Sequence, residues 1–113
     1  MNNELSLLGL AMRAGKVLSG DELVLKAIRS QEATLVVLAG DASDNTQKKF
    51  RDKCGSYSIP LLIGYDRDQL GSSIGRDGRV VLALTDKGFA ELFRKRMGNS
   101  SEVEYIEHTG AEG

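Results

Sequence analysis

The residues of this chain best suited to chemistry lie in two stretches, Gly20-Asp-Glu-Leu-Val-Leu-Lys26 and Leu70-Gly-Ser-Ser-Ile-Gly75, the second followed by Arg76. Gly20 stands between a short apolar run and an amphipathic segment, where a strand gives way to a helix and the first-turn N–H groups lack intrahelical partners. Such a helix start attracts anionic oxygen, phosphate included. Lys26 and Arg29 follow on the helix, within reach of a phosphate or a base edge. The plainer reading assigns Asp21 and Glu22 to the helix dipole and leaves both cations solvated. In the second stretch Gly71 and Gly75 let a backbone approach a ligand, Leu70 and Ile74 offer an apolar surface beside it, and Arg76 adds charge. Here the plainer reading is a glycine-rich helix end.

Catalytic chemistry finds little support. The one histidine, His108, lies near the C-terminus, and there is no Cys/His cluster, HExxH or GxSxG string. Gly71, Gly75 and Gly78 do not form a phosphate-binding Gly-Lys-Ser/Thr loop, and no GxGxxG string begins at Gly15 or Gly20. Asp41 follows an apolar strand, a common place for a catalytic or metal-binding acid in α/β folds, although a turn or helix cap explains it more simply. The single cysteine, Cys54, excludes an internal disulfide and a multi-cysteine zinc site. It suits the inner face of a helix. No catalytic residue, metal site or cofactor is expected.

Helices and strands alternate along the chain in an order that can position these stretches. Leu5, Leu8 and Met12 recur at helical spacing after Asn2 and Asn3, and the helix ends near Gly15. Lys16 to Leu18 reads as a brief strand. Asp21 to about Ser30 reads as helix two, with Leu23, Val24, Ala27 and Ile28 as its apolar stripe. Thr34-Leu-Val-Val-Leu38 is a continuous apolar run, as expected of a central strand covered on both faces. Asp44 can cap a third helix that turns Phe50, Cys54 and Tyr57 inward and Lys48, Lys49, Arg51 and Lys53 mostly outward. Leu61-Leu-Ile63 is a third strand, Asp66 to Ser73 a short helix and Arg79 to Thr85 the fourth strand. Asp86 to Met97 closes the domain with Phe89, Leu92 and Phe93 facing inward. Strands separated by helices at these lengths imply an α/β fold: a three-layer α/β/α sandwich with a small four-stranded mixed sheet and about five helices.

Composition sets the scale. A chain of 113 residues with 41% hydrophobic content fits one compact domain, here residues 1–97. Residues 98–113 hold four of the 16 acidic residues and no Lys or Arg, which leaves 15 basic and 12 acidic side chains in the body. This stretch reads as an acidic, poorly ordered tail. A mildly cationic body implies local, shape-dependent contact with nucleic acid rather than electrostatic coating. No apolar run approaches the ~20 residues of a membrane span, and no secretory leader is visible, so a cytoplasmic protein is expected.

These features together carry a resemblance. The order of elements, the Gly20 to Lys26 helix start, the Asp41-Ala-Ser43 turn and the loop with Leu70, Gly71 and Gly75 resemble the L-seven-Ae ribosomal-protein family of kink-turn RNA binders. More narrowly, Leu7-Leu-Gly-Leu-Ala-Met-Arg-Ala-Gly-Lys16, Asp41-Ala-Ser-Asp-Asn-Thr-Gln-Lys-Lys49 and Asp52-Lys-Cys54 are similar to its bacterial YlxQ-type branch. The likeness covers about residues 4 to 97. In that family the loop into helix two runs Gly, a variable residue, Asn, Glu, two further residues and Lys, and grips the sheared G·A pairs and backbone at the kink. Gly20 and Lys26 match, whereas Glu22 and Leu23 occupy the Asn-Glu positions. An amide both donates and accepts, while a carboxylate only accepts and repels phosphate.

The resemblance further places Ser43 and Gln47 beside an extruded base and Arg67 at a cationic position. It assigns Leu70, Gly71, Ile74, Gly75 and Arg76 to the loop that closes over the RNA. It implies a non-catalytic RNA-binding protein of the translation or ribosome apparatus that recognises a kinked or bulged RNA by shape and backbone contact. Structured RNA, ribosomal RNA included, and ribosomal proteins are the partners it implies, with no membrane role; a monomer is expected. A rival reading is a protein-interaction adaptor, since Leu23 suits a protein contact better than a base. A third, a small phosphotransfer or nucleotide-binding enzyme, rests on the α/β class and Asp41 alone.

Overall fold

The apolar runs that read as strands pair into one sheet, and their alternate residues feed two separate cores. The computed structural model describes residues 3–97 and 103–107. Among these the elements are α1 (Asn3–Arg13), β1 (Val17–Ser19), α2 (Asp21–Arg29), β2 (Leu35–Leu38), α3 (Asp44–Tyr57), β3 (Leu61–Ile63), α4 (Arg67–Ser73), β4 (Val81–Leu84), α5 (Lys87–Met97) and β5 (Glu104–Ile106). On one face of the sheet Leu35, Val37, Leu62, Leu82 and Leu84 pack with Leu8, Leu70 and Phe93 from α1, α4 and α5. On the other, Val36, Leu38, Leu61, Ile63, Val81 and Ala83 meet Val24, Ile28, Phe50 and Cys54 from α2 and α3. Since strand side chains alternate between faces, a strand buried on both must be apolar throughout. That is why β2, β3 and β4 carry no polar residue.

Cys54 lies wholly inside the second core, and burial pushes its thiol from 9.0 up to about 12. A thiol held protonated is an inert packing residue.

The strand order is β1-β4-β2-β3-β5. β2 and β3 are parallel, with Val37 opposite Leu62, and β4 runs antiparallel between β1 and β2. β1, β2 and β3 therefore point the same way. Their C-terminal ends share one end of the sheet with the start of β4, so the β1–α2, β2–α3 and β3–α4 junctions and the α4–β4 loop gather there. Backbone hydrogen bonds join them: Gly20 N–H donates to the Val81 carbonyl (3.2 Å), Ala39 to Val80 (2.7 Å), Gly40 to Tyr65 (2.8 Å) and Gly64 to Leu38 (3.0 Å).

The three-layer architecture is as expected, but among the described residues the sheet has five strands rather than four. β5 comes from the stretch read as a tail and pairs antiparallel with β3, Leu62 opposite Tyr105. Three distant residues hold it. Gly64 has no Cβ; one built there would collide with Val103 Cγ1 and lie 3.2 Å from its Cα. Arg51 donates to both carboxylate oxygens of Glu104, at 3.0 and 3.4 Å. The Arg94 guanidinium stands 5.8 Å from the centre of the Tyr105 ring. The rest of that stretch, residues 98–102 and 108–113 with His108, lies outside the described residues.

Two leucines expected to face inward do not: Leu23 is 52% and Leu92 41% exposed. Val24 and Phe93, their immediate neighbours, are 0% exposed. The inward arc of each helix is thus narrower than its count of apolar residues suggests.

Candidate functional site

The gathered end of the sheet carries three helix starts, and their caps differ. Ser43 accepts from Thr46 N–H at 3.2 Å to cap α3. Asp66 and Gln69 form a reciprocal capping box on α4, with Gln69 N–H donating to Asp66 at 2.8 Å. α2 begins instead at Gly20, with φ 100° and ψ 151° and no side-chain cap. That backbone geometry suits glycine, and it leaves the first-turn N–H groups of α2 open to an external acceptor. The macrodipole adds partial positive charge at the same point.

Side chains around this start are partly committed. Asp21 pairs with Lys49 of α3 at 2.9 Å, which ties the α2 start to its neighbour. Glu22 and Leu23 are exposed, as is Lys26. Lys26 and Arg29 both belong to the last turn of α2, Lys26 opening it and Arg29, exposed too, ending the helix. Eight residues from Asp21, Arg29 is ~12 Å down the helix from the gathered end. The structure does not bring Arg29 to Gly20.

The expected base-contacting pair is occupied within the protein. Ser43 serves as the α3 cap, and the Gln47 amide donates to the Gly40 and Ala42 carbonyls at 3.3 and 3.2 Å. Both brace the β2–α3 turn.

Leu70 and Ile74 do not form an exposed surface. They are 0% and 7% exposed and belong to the core under β4. One helical turn apart, both point inward, and they anchor the loop instead of lining its outer side. Gly71 does permit a close approach, but of the loop itself: a Cβ there would lie 2.8 Å from Gly78 N and 2.9 Å from Arg76 O. Gly75, at φ +75°, turns the chain out of α4, and Arg76 N–H returns to the Gly71 carbonyl at 2.8 Å. This fold-back projects Arg76, which is exposed.

Arg67 stands at the gathered end, but its charge is matched by Asp41. Its backbone N–H, Nε and Nη2 donate to Asp41 Oδ1, Oδ2 and O at 3.0, 3.3 and 2.9 Å. Asp41 is thus an ion-pair partner rather than an unengaged acid. Arg79, which the sequence did not single out, turns its guanidinium to the loop carbonyls of Asp77 and Gly78 at 2.6 and 3.0 Å. Among the described residues no carboxylate pairs with Lys26, Arg76 or Arg79. Nor does any group of three or more His, Cys, Asp or Glu there have the arrangement of a metal site. No described helix is long and apolar enough to cross a membrane.

The sequence profile of the ribosomal protein L7Ae/L30e/S12e/Gadd45 family matches residues 3–94. The chain belongs to this family. Within the L7Ae-type family it is similar to "RNA-binding protein YlxQ" of Bacillus subtilis (strain 168), 56% identical over 84 residues, which are 74% of this chain and 84% of the relative. The protein of that name from Enterococcus faecium is 41% identical over 87 residues, 77% of this chain and 84% of its own. A solved structure of a protein of unknown function from Bacillus halodurans C superposes with a TM-score of 0.85 at 43% identity, covering 88% of this chain and 100% of that one. The Giardia lamblia 15.5kD RNA binding protein shares the fold, with a TM-score of 0.71 at 18% identity over 83% of this chain and 81% of its own. The family profile ends before β5 begins.

Proposed function

We propose that the chain is a non-catalytic RNA-binding protein that recognises a kinked or bulged structured RNA at the gathered end of its sheet. The observation that carries this reading is the uncapped start of α2. Of the three helices that follow β1, β2 and β3, it alone presents its first-turn N–H groups without a capping side chain. A phosphate of a sharply bent backbone is the acceptor such a start favours. Lys26, Arg76 and Arg79 supply charge around it, while the folded-back α4–β4 loop forms the opposite wall. Glu22 and Leu23 face the base-reading position with less hydrogen-bonding capacity than an Asn-Glu pair, so shape and backbone contact dominate. The name that both relatives bear, RNA-binding protein, supports the reading. The proposed setting is the translation or ribosome apparatus, in the cytoplasm.

The test is a titration of the full chain against a kink-turn RNA and a straightened duplex of matched composition, at low and near-physiological salt. Preference for the bent RNA is the expected result. Equal, weak binding to both overturns the reading. One observation favours a second reading as a protein-interaction adaptor: Leu23, in the first turn of α2, is 52% exposed. A ribosomal protein retained from nuclease-treated lysate by the chain, but not by Leu23→Ala, would carry that alternative.

A further inference from the structure

We propose that Asp41 is a positioning residue of the edge: through Arg67 it sets the α4–β4 loop against the starts of α2 and α3. This inference rests on the RNA-binding reading only for its consequence in affinity. Asp41 takes three donors from Arg67, two on its carboxylate and one on its carbonyl. Arg67 in turn touches the loop in two ways. Its carbonyl accepts the Arg79 N–H at 3.0 Å, and its Cγ and Cδ lie 3.8 and 3.9 Å from where a Gly78 Cβ would stand. Arg67, through its backbone and its side chain, therefore links the β2–α3 turn to the loop that carries Arg76 and Arg79. The start of α3 is fixed to the same turn by Gln47, and that of α2 to α3 by Asp21 and Lys49. Asp41 closes the connection between the two walls of the edge.

A merely structural role predicts something different. The Arg67 and Asp41 side chains are 48% and 46% exposed, a setting in which ion pairs add little to stability. Asp41→Ala should thus leave the midpoint of thermal unfolding within about 3 °C of the parent. Its effect on geometry should exceed its effect on stability. With the Arg67 N–H and Nε released from the Asp41 carboxylate and only the Nη2 bond to the Asp41 carbonyl left, the guanidinium backs the loop less firmly, and affinity for kink-turn RNA should fall on the order of tenfold.

The experiment measures two quantities in the parent, Asp41→Ala and Asp41→Asn: amide exchange of residues 76–80 without RNA, and affinity for kink-turn RNA. Asparagine keeps a side-chain oxygen for the Arg67 N–H and is the conservative rescue. Faster loop exchange and weaker binding in Asp41→Ala, with both partly restored in Asp41→Asn, whose amide accepts one of the two Arg67 donors, is the expected result. Unchanged loop exchange in Asp41→Ala overturns the proposal, whatever the RNA does. Faster exchange with unchanged affinity overturns the positioning role. If the parent itself fails to prefer the bent RNA, the functional reading falls, and the exchange measurement alone decides the link from Asp41 to the loop.

Discussion

Neutralising Lys26 and Arg76 together, Lys26→Gln with Arg76→Gln, tests the edge quantitatively because the structure limits how many charges act there. Lys26, Arg76 and Arg79 have no carboxylate partner among the described residues, whereas Arg67 is matched by Asp41. With three phosphates neutralised, log affinity should fall with log salt at a slope of about −2.1 to −2.7, from −0.7 to −0.9 per contact. Raising salt from 50 to 200 mM should then weaken the parent roughly 20- to 40-fold. Counting Arg67 as a fourth contact would steepen the slope to about −2.8 to −3.6. The double variant retains one contact, for a slope of about −0.7 to −0.9 and a loss of about threefold over the same range. Lys95→Gln, on the exposed side of α5, is the control and should keep the parent slope. Fluorescence anisotropy with labelled kink-turn RNA at four salt concentrations gives each slope. A parent slope near zero, or a double variant as salt-sensitive as the parent, would refute phosphate contact by these two residues.

Three further outcomes are expected. Glu22→Asn with Leu23→Glu installs an Asn-Glu pair at the start of α2 and, on the proposed reading, should tighten kink-turn binding on the order of tenfold, as one good polar base contact would; an unchanged titration would remove these positions from base recognition. Gly64→Ala should expel β5, because its new Cβ would meet Val103. The Tyr105 phenol, held above its ordinary 10.0 first by burial and then by Glu107, against the lowering effect of Arg94, should then titrate at lower pH; ultraviolet difference titration reads the shift. Stability should fall as pH rises from about 9 toward 12, because the unfolded Cys54 thiol ionises near 9.0 while the folded one stays protonated to about 12. The slope from this thiol is ~1.4 kcal/mol per pH unit, and urea midpoints at pH 8 and 10.5 should converge further in Cys54→Ala than in the parent.

Local patterns made much of the fold legible. The Thr34 to Leu38 run and the lone proline before Leu61 are read from a few adjacent residues, and the helices and the first four strands follow from such patterns, although Asp44, read as the cap of α3, is its first residue and Ser43 caps it. What the sequence hid depends on distant partners. Val103 to Glu107 has too little apolar alternation to mark a strand; it becomes one because Gly64 leaves space and Arg51 meets Glu104. Arg67 looked like an available cation because Asp41, its partner, is 26 residues away. The glycines around Leu70 and Ile74 suggested an open loop, yet both leucine and isoleucine fill the core while the glycines let the loop fold back on α4. Gly20 and Lys26 were recognisable by type and spacing. That α2 alone of its three neighbours lacks a side-chain cap is visible only once the junctions are seen together.

The brevity of the outermost strands has a consequence for self-association. β1 and β5, the two edges of the sheet, are three residues each. An extended neighbour could form a ladder only ~10 Å long along either one, too short to persist by itself. Glu104 also puts a charge on one of these margins, as edge strands often do to discourage foreign pairing. Leu35–Leu38, whose composition would suit a steric zipper, is sealed between β4 and β3. Fibrillar growth therefore requires opening the sheet itself, so its rate should track unfolding rather than encounters between folded chains.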